Sequence, residues 1–181
     1  MNVLTYVSSS QHKFAEIQAA LPSFRMQWLA TRLPEKLSIS PREILTAKAR
    51  IAFCGTQAPF VMDHSAIYFS QYDYKLPGCL IEPMMNVLGL DGICRLISKN
   101  RLARSQTLML LCDGRKFIIF DAVTEGSIVE EPRGHSGFGW DAVFVPAGSS
   151  KTYAEMQIEE KQVLSSRTKV CKQLETRMGD G

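Results

Sequence analysis

The sequence predicts an α/β fold in which a central mixed sheet is flanked by helices. Three observations point there. "NVLTYV" (2–7), "SSS" (8–10) and "QHKFAEIQAAL" (11–21) read as strand, polar loop and helix in immediate succession, the start of a layered α/β arrangement. "SQTLMLLCDGRKFIIFDAV" (105–123) sets Asp113-Gly114 between two apolar runs, a hairpin signature that brings in antiparallel pairing. At 181 residues the chain is long enough for one sizeable core, so residues 1–181 are read as a single domain.

Each element has its own signal. In the first helix Phe14, Ile17 and Leu21 recur at helical spacing. "SPREILTAKARIAFCG" (40–55) opens on a capping box, with Ser40 as N-cap, Pro41 at the first helical position and Glu43 three residues on, and Gly55 ends it. "APFVMD" (58–63) is a short strand of the buried type stopping at a carboxylate. "PMMNVLGLDGICRLISK" (83–99) is an apolar helix or helix pair interrupted near Gly89–Gly92. "SIVEE" (127–131) and "DAVFVP" (141–146) add strands. A second capping box, Thr152 and Glu155, precedes a longer helix with Val163, Val170, Cys171 and Leu174 along one face.

Composition narrows the function classes. Hydrophobic content of 45%, charged content of 22% and a net charge of +3 are those of a soluble globular protein, and no Lys/Arg block points to nucleic acid or to an anionic membrane. No run approaches the ~20 apolar residues of a membrane span, and "MNVLTYVSSS" lacks a charged leader. Five scattered cysteines without a C-x-x-C pair read as free thiols in a reducing compartment. The expectation is a cytoplasmic protein.

Several residues could carry chemistry. "SSSQHK" (8–13) offers hydroxyls, Lys13 and helix N-terminal amides to an anion, or is an ordinary N-cap loop. Glu35 and Asp63 follow short apolar or proline-marked segments; such a pair can share Mg²⁺, which needs only one or two protein carboxylates, or both are solvated acids. Lys48 matters if its helix face looks into the site. "GHSGFGWDAVFVPAG" (134–148) places three glycines around Phe138, Trp140 and Asp141. The aromatics supply a stacking face or core, and Asp141 an acceptor for a ring N–H. Lys161, Ser166 and Arg167 are polar groups able to meet a heterocycle's edge.

In this order the segments resemble the HAM1-type inosine triphosphate pyrophosphatase family over nearly the whole chain. The motifs are "SSSQHKFAE", "LPE" (33–35), "EILTAKAR", "VMD", the Pro-Gly at 77–78, the intact block "RGHSGFGWDAVFVP", then "KTYAEM" and "EEK". The resemblance implies an elongated α/β protein with its site in a cleft between two lobes, usually a homodimer. It implies hydrolysis of non-canonical purine nucleoside triphosphates (ITP, dITP, XTP) to monophosphate and pyrophosphate, by Mg²⁺-assisted attack of water on the α-phosphorus. Glu35 and Asp63 would bind Mg²⁺, with Asp63, Lys13 and Lys48 as the catalytic set and Asp63 the candidate general base. Ser8, Ser10, Lys13 and Lys48 would hold the triphosphate, and Ser9 and His64 would also contact the substrate. Phe138, Gly139 and Trp140 would shape the base pocket, with Asp141, Lys161, Ser166 and Arg167 around the purine edge.

Three departures from the family pattern stand out. Ser8-Ser9-Ser10 replaces Thr-Gly-Asn, Met62 and His64 flank Asp63 in place of an acid and a small polar residue, and Ser166 stands at the family's histidine. A lost hydrogen bond to a 6-oxo purine is worth ~0.5–1.5 kcal/mol, enough to blur discrimination between oxo and amino purines. Two other readings therefore accompany the first: a homologue that binds nucleotide without turnover, and an enzyme retuned to another modified nucleotide.

Overall fold

The structure, a computed structural model, describes residues 3–56 and 58–179. Its strands are β1 (Val3–Val7), β2 (Arg25–Leu29), β3 (Phe60–Phe69), β4 (Pro77–Gly78), β5 (Leu102–Cys112), β6 (Phe117–Ile128) and β7 (Phe144–Pro146). Its helices are α1 (Gln11–Ala20), α2 (Pro41–Phe53), α3 (Ile81–Leu96), α4 (Ile158–Leu164) and α5 (Ser166–Gly179). The strands form one sheet in the order β2-β1-β3-β5-β6-β7, with β4 on β3. β1 pairs parallel with β2 and β3, while β3–β4 and β6–β7 are antiparallel, so the sheet is mixed as expected.

The chain divides into two compact units, one of residues 1–64, 107–122 and 167–181 and the other of 65–106 and 123–166. The first unit buries Leu4, Tyr6, Ile17, Leu21 and Val61 with Val170, Cys171 and Leu174, and a second cluster gathers Leu45 and Ala49 of α2 with Phe60 and Met62. Tyr6, Phe14 and Trp28 continue the first cluster, with the Phe14 and Trp28 rings stacked at 5.5 Å. The second unit packs Ile67 and Phe69 of β3 with Ile93, Cys94, Phe144 and Tyr153.

Local signals and structure agree where neighbours decide the outcome. Ser40 Oγ accepts from Glu43 N at 3.3 Å, and Pro41 opens α2. The Glu43 carboxylate, however, turns to Lys36 and Ser38, so only half of that box forms. The Thr152–Glu155 box forms in both directions around a single 3₁₀ turn. α3 is interrupted at Gly89, whose φ of 66° and ψ of 174° are open to glycine and costly for other residues. The hairpin turns at Asp113, which accepts from the amides of Arg115 and Lys116.

Four features differ from expectation. β3 does not stop at Asp63 but runs to Phe69. β6 already includes Ser127 and Ile128, which removes a separate strand at "SIVEE". The C-terminal helix is broken at Ser165, whose ψ of 136° separates α4 from α5; Val163 on α4 is consequently exposed, while Val170, Cys171 and Leu174 on α5 are buried. β2 has no counterpart among the expected strands, although Met26 and Trp28 alternate inward along it. Of the five cysteines, all free, Cys94, Cys112 and Cys171 are buried, Cys79 is half-buried and Cys54 is exposed. Burial pushes the Cys171 thiol up to about 12. No helix among the described residues is long and apolar enough to cross a membrane.

Candidate active site

The first unit concentrates charge around Asp63. β3 carries this carboxylate inward until its side chain is 1% exposed. An isolated ionised carboxylate there would be untenable, and its surroundings supply the compensation. The Tyr6 hydroxyl donates to Oδ1, and Lys13 Nζ and Arg167 Nη2 approach Oδ2 at 3.3 and 3.4 Å. Arg167 is itself held by Glu16 through Nη1. Burial alone would raise the Asp63 pKa, but Lys13, Arg167 and the Tyr6 hydrogen bond outweigh it and hold the carboxyl well below the usual range. Burial and the adjacent Asp63 charge push the Tyr6 phenol up, so it stays a neutral donor.

Lys13 reaches this cluster because α1 starts where it does. Ser10 is the N-cap and accepts from Lys13 N, Ser10 N donates to Ser8 Oγ at 3.1 Å, and Trp28 Nε1 donates to Ser8 O at 2.8 Å. Ser8 and Ser10 thus serve the cap of α1, whose N-terminal end is the positive end of the helix dipole. Ser9 is exposed.

Glu35 lies on the loop after β2, and Lys48 on α2 reaches it, Nζ to Oε1 at 2.6 Å, with the side chains 48% and 18% exposed. Burial works against ionisation of Glu35, but the Lys48 hydrogen bond and charge prevail and lower its pKa. His64 follows Asp63 along β3. Burial first, then the Lys13 charge, lowers its pKa to about 4, so the imidazole is neutral at pH 7. Its Nε2 is sealed from solvent with no hydrogen-bond partner.

The second unit holds the glycine-rich loop. Arg133 N donates to Ala142 O at 2.8 Å, Thr152 Oγ1 donates to Arg133 O at 2.8 Å, and Ser136 Oγ donates to Ala154 O at 2.5 Å. Asp141 is the loop's internal anchor. Its Oδ2 accepts from Phe138 N at 2.8 Å and from Lys161 Nζ at 2.5 Å, and a Cβ on Gly137 would collide with that oxygen. Lys161 Nζ also lies 5.0 Å from the Phe138 ring and 5.3 Å from the Tyr153 ring. The two aromatics separate by role. Both are half-buried, but Trp140 packs against the buried cluster of this unit, whereas Phe138 lies beside Lys161 and the exposed Gly139. Ser166 is buried, its Oγ 3.4 Å from Ser105 Oγ.

The structure therefore brings Asp63, Lys13 and Arg167 together in one unit, pairs Glu35 with Lys48 there, and gathers Phe138, Asp141 and Lys161 in the other. Sequence reasoning missed three partners. Tyr6 reads as an apolar strand residue and gives no signal, and neither does Ser105. Glu16 stands three residues after Lys13 in "KFAE" and was open to notice.

Among the described residues no group of three or more His, Cys, Asp or Glu side chains is arranged to hold a metal. A hard cation that keeps most of its waters does not need one. Glu35 fits such a cation: it is an accessible oxygen donor that meets Lys48 through Oε1. Asp63 supplies the same donor type but is already occupied by two cations and a phenol.

The fold is thus a mixed α/β sheet whose first unit pairs each of these carboxylates with lysine or arginine, one of them Lys13 in the first turn of α1. The chain belongs to the Ham1 family, whose model matches residues 4–177. It is 32% identical over 168 residues to the dITP/XTP pyrophosphatase of Saccharolobus solfataricus, covering 90% of this chain and 86% of that protein. It is 34% identical over 183 residues to the inosine triphosphate pyrophosphatase of Aspergillus fumigatus, covering 98% and 95%. A Ham1 protein from Coxiella burnetii has the same fold, with a TM-score of 0.83 over 100% of both chains at 23% identity.

Proposed function

We propose that this chain is a nucleoside triphosphate pyrophosphatase that hydrolyses non-canonical purine nucleotides of the ITP, dITP and XTP type to monophosphate and pyrophosphate. The observation that carries the reading is the buried Asp63 fixed by Lys13, Arg167 and Tyr6, in a chain whose relatives are named for this activity.

The phosphate chain is received by Lys13, Lys48 and the α1 N-terminus with Ser8, Ser9 and Ser10, and water attacks the α-phosphorus. Glu35 and Asp63 would hold a divalent cation such as Mg²⁺, which when bound supplies neutralisation of polyphosphate charge. Asp63, held ionised by Lys13, Arg167 and Tyr6, orients the attacking water and is the candidate base for its proton once Lys13 turns to the phosphates. In the second unit Phe138 offers a ring face, Gly139 leaves room beside it, and the Asp141–Lys161 pair fixes the loop while presenting polar atoms to the base edge. The homodimer usual for the family goes with this reading, as does the cytoplasmic setting expected from the scattered cysteines.

Pyrophosphate release from ITP, XTP, dITP, dUTP and the standard triphosphates, with and without Mg²⁺, tests it. Metal-dependent release favouring ITP or XTP is expected, and Asp63→Asn should abolish it. Nucleotide binding without release from any of them would leave a non-catalytic binder instead. The Ser105–Ser166 contact favours a second reading of specificity, because a hydroxyl engaged inside the fold reads the base less strictly than a histidine. Ser166→His is expected to raise the ITP-over-ATP ratio of kcat/KM; an unchanged ratio removes Ser166 from base selection.

A further inference from the structure

In this fold the acids assigned to the cation already carry ammonium partners. Lys48 Nζ lies 2.6 Å from Glu35 Oε1, and Lys13 Nζ lies 3.3 Å from Asp63 Oδ2. The same lysines are assigned to the phosphates. The two pairs are not equivalent, because Asp63 keeps Arg167 and Tyr6 if Lys13 moves, whereas the ion pair described for Glu35 is with Lys48.

A divalent cation approaching Glu35 alone meets an ammonium already bonded to its ligand oxygen. A polyphosphate approaching Lys48 alone must draw it from Glu35 and then faces the bare carboxylate. When both arrive together the partners exchange, carboxylate to cation and ammonium to phosphate, and every charge stays paired.

We propose that Lys48 is a counter-ion latch on Glu35 that makes cation and polyphosphate binding mutually dependent, so that each enters weakly alone and strongly with the other. The inference rests on the assignment of Glu35 to the cation and Lys48 to the phosphates.

Mn²⁺ alone is the probe, followed by loss of the free-ion EPR signal on titration with metal-free protein. Lys48→Met should tighten Mn²⁺ binding by about tenfold or more. Lys48→Arg should restore the weak binding of the natural chain, and Glu35→Gln added to Lys48→Met should erase the gain. Conversely, Glu35→Gln should tighten binding of tripolyphosphate in EDTA, measured by calorimetry. Unchanged Mn²⁺ affinity in Lys48→Met, or a gain that survives loss of Glu35, overturns the latch. The proposed function fails separately: a latch that behaves as stated with no pyrophosphate released from any nucleotide refutes the activity alone, and release with an unresponsive Lys48→Met refutes the latch alone.

Discussion

Each unit buries an acid against a lysine, and the two arrangements do different work. Asp141 and Lys161 meet at 2.5 Å, with side chains 9% and 10% exposed, and Asp141 also accepts the Phe138 amide. That pair fixes the path of a glycine-rich loop whose Gly137 lies against the carboxylate. Asp63 in the other unit is shared among Tyr6, Lys13 and Arg167, and Arg167 is shared in turn with Glu16. A single pair sets local shape. A network with more than one cation can release Lys13 and keep the acid compensated, which suits a residue that must also meet a ligand.

The comparison can be broken most severely at Arg167. Arg167→Met leaves Glu16 and Asp63 short of their shared cation and should cost about 3–5 kcal/mol in denaturant unfolding; a loss under ~1 kcal/mol would show that Lys13 and Tyr6 suffice. Lys161→Met should cost less, about 1–3 kcal/mol, because Asp141 keeps the Phe138 amide. Equal losses for the two variants would erase the distinction between network and pair.

Acid sharpens the contrast, since the buried groups whose pKa values are depressed, Asp63 and His64, lie in the first unit. The folded His64 pKa, about 4, lies below the ordinary 6.5, so the unfolded chain takes up the proton first. Stability of the metal-free protein should fall as pH drops from 6.5 towards 4, and His64→Asn should flatten that stretch in urea melts taken at stepped pH. A slope unaltered by the substitution would place the titrating group elsewhere. Asp63 acts further down: its lowered pKa contributes stability above the ordinary carboxylate range that is lost as pH falls through the folded value. The smallest effect is expected at Glu35→Gln, within ~1 kcal/mol, because its ion pair with Lys48 is half open to solvent. A larger loss would mean that the loop carrying Glu35 depends on Lys48.

Sequence by itself determined what neighbouring residues enforce. The Ser40 cap with Pro41, the Asp113-Gly114 turn, the break at Gly89 and the Thr152–Glu155 box all form because their partners lie within a few residues and their backbone angles are chemically restricted. The glycine-rich loop was legible for the same reason. Tertiary structure decided the rest. Asp63 sits inside a continuing strand rather than at its end because Tyr6, Lys13 and Arg167, from 57, 50 and 104 residues away along the chain, supply the donors that allow a carboxylate to be buried there. Trp140 and Phe138 are both half-buried, yet Trp140 packs against the core cluster and Phe138 lies beside Lys161, a division that their shared loop sequence does not distinguish. Ser166 turns to Ser105, 61 residues earlier, through a contact that no local pattern encodes. Capping and turn chemistry act over one or two turns of chain, whereas compensation of a buried charge depends on which distant segments the core brings within hydrogen-bonding reach.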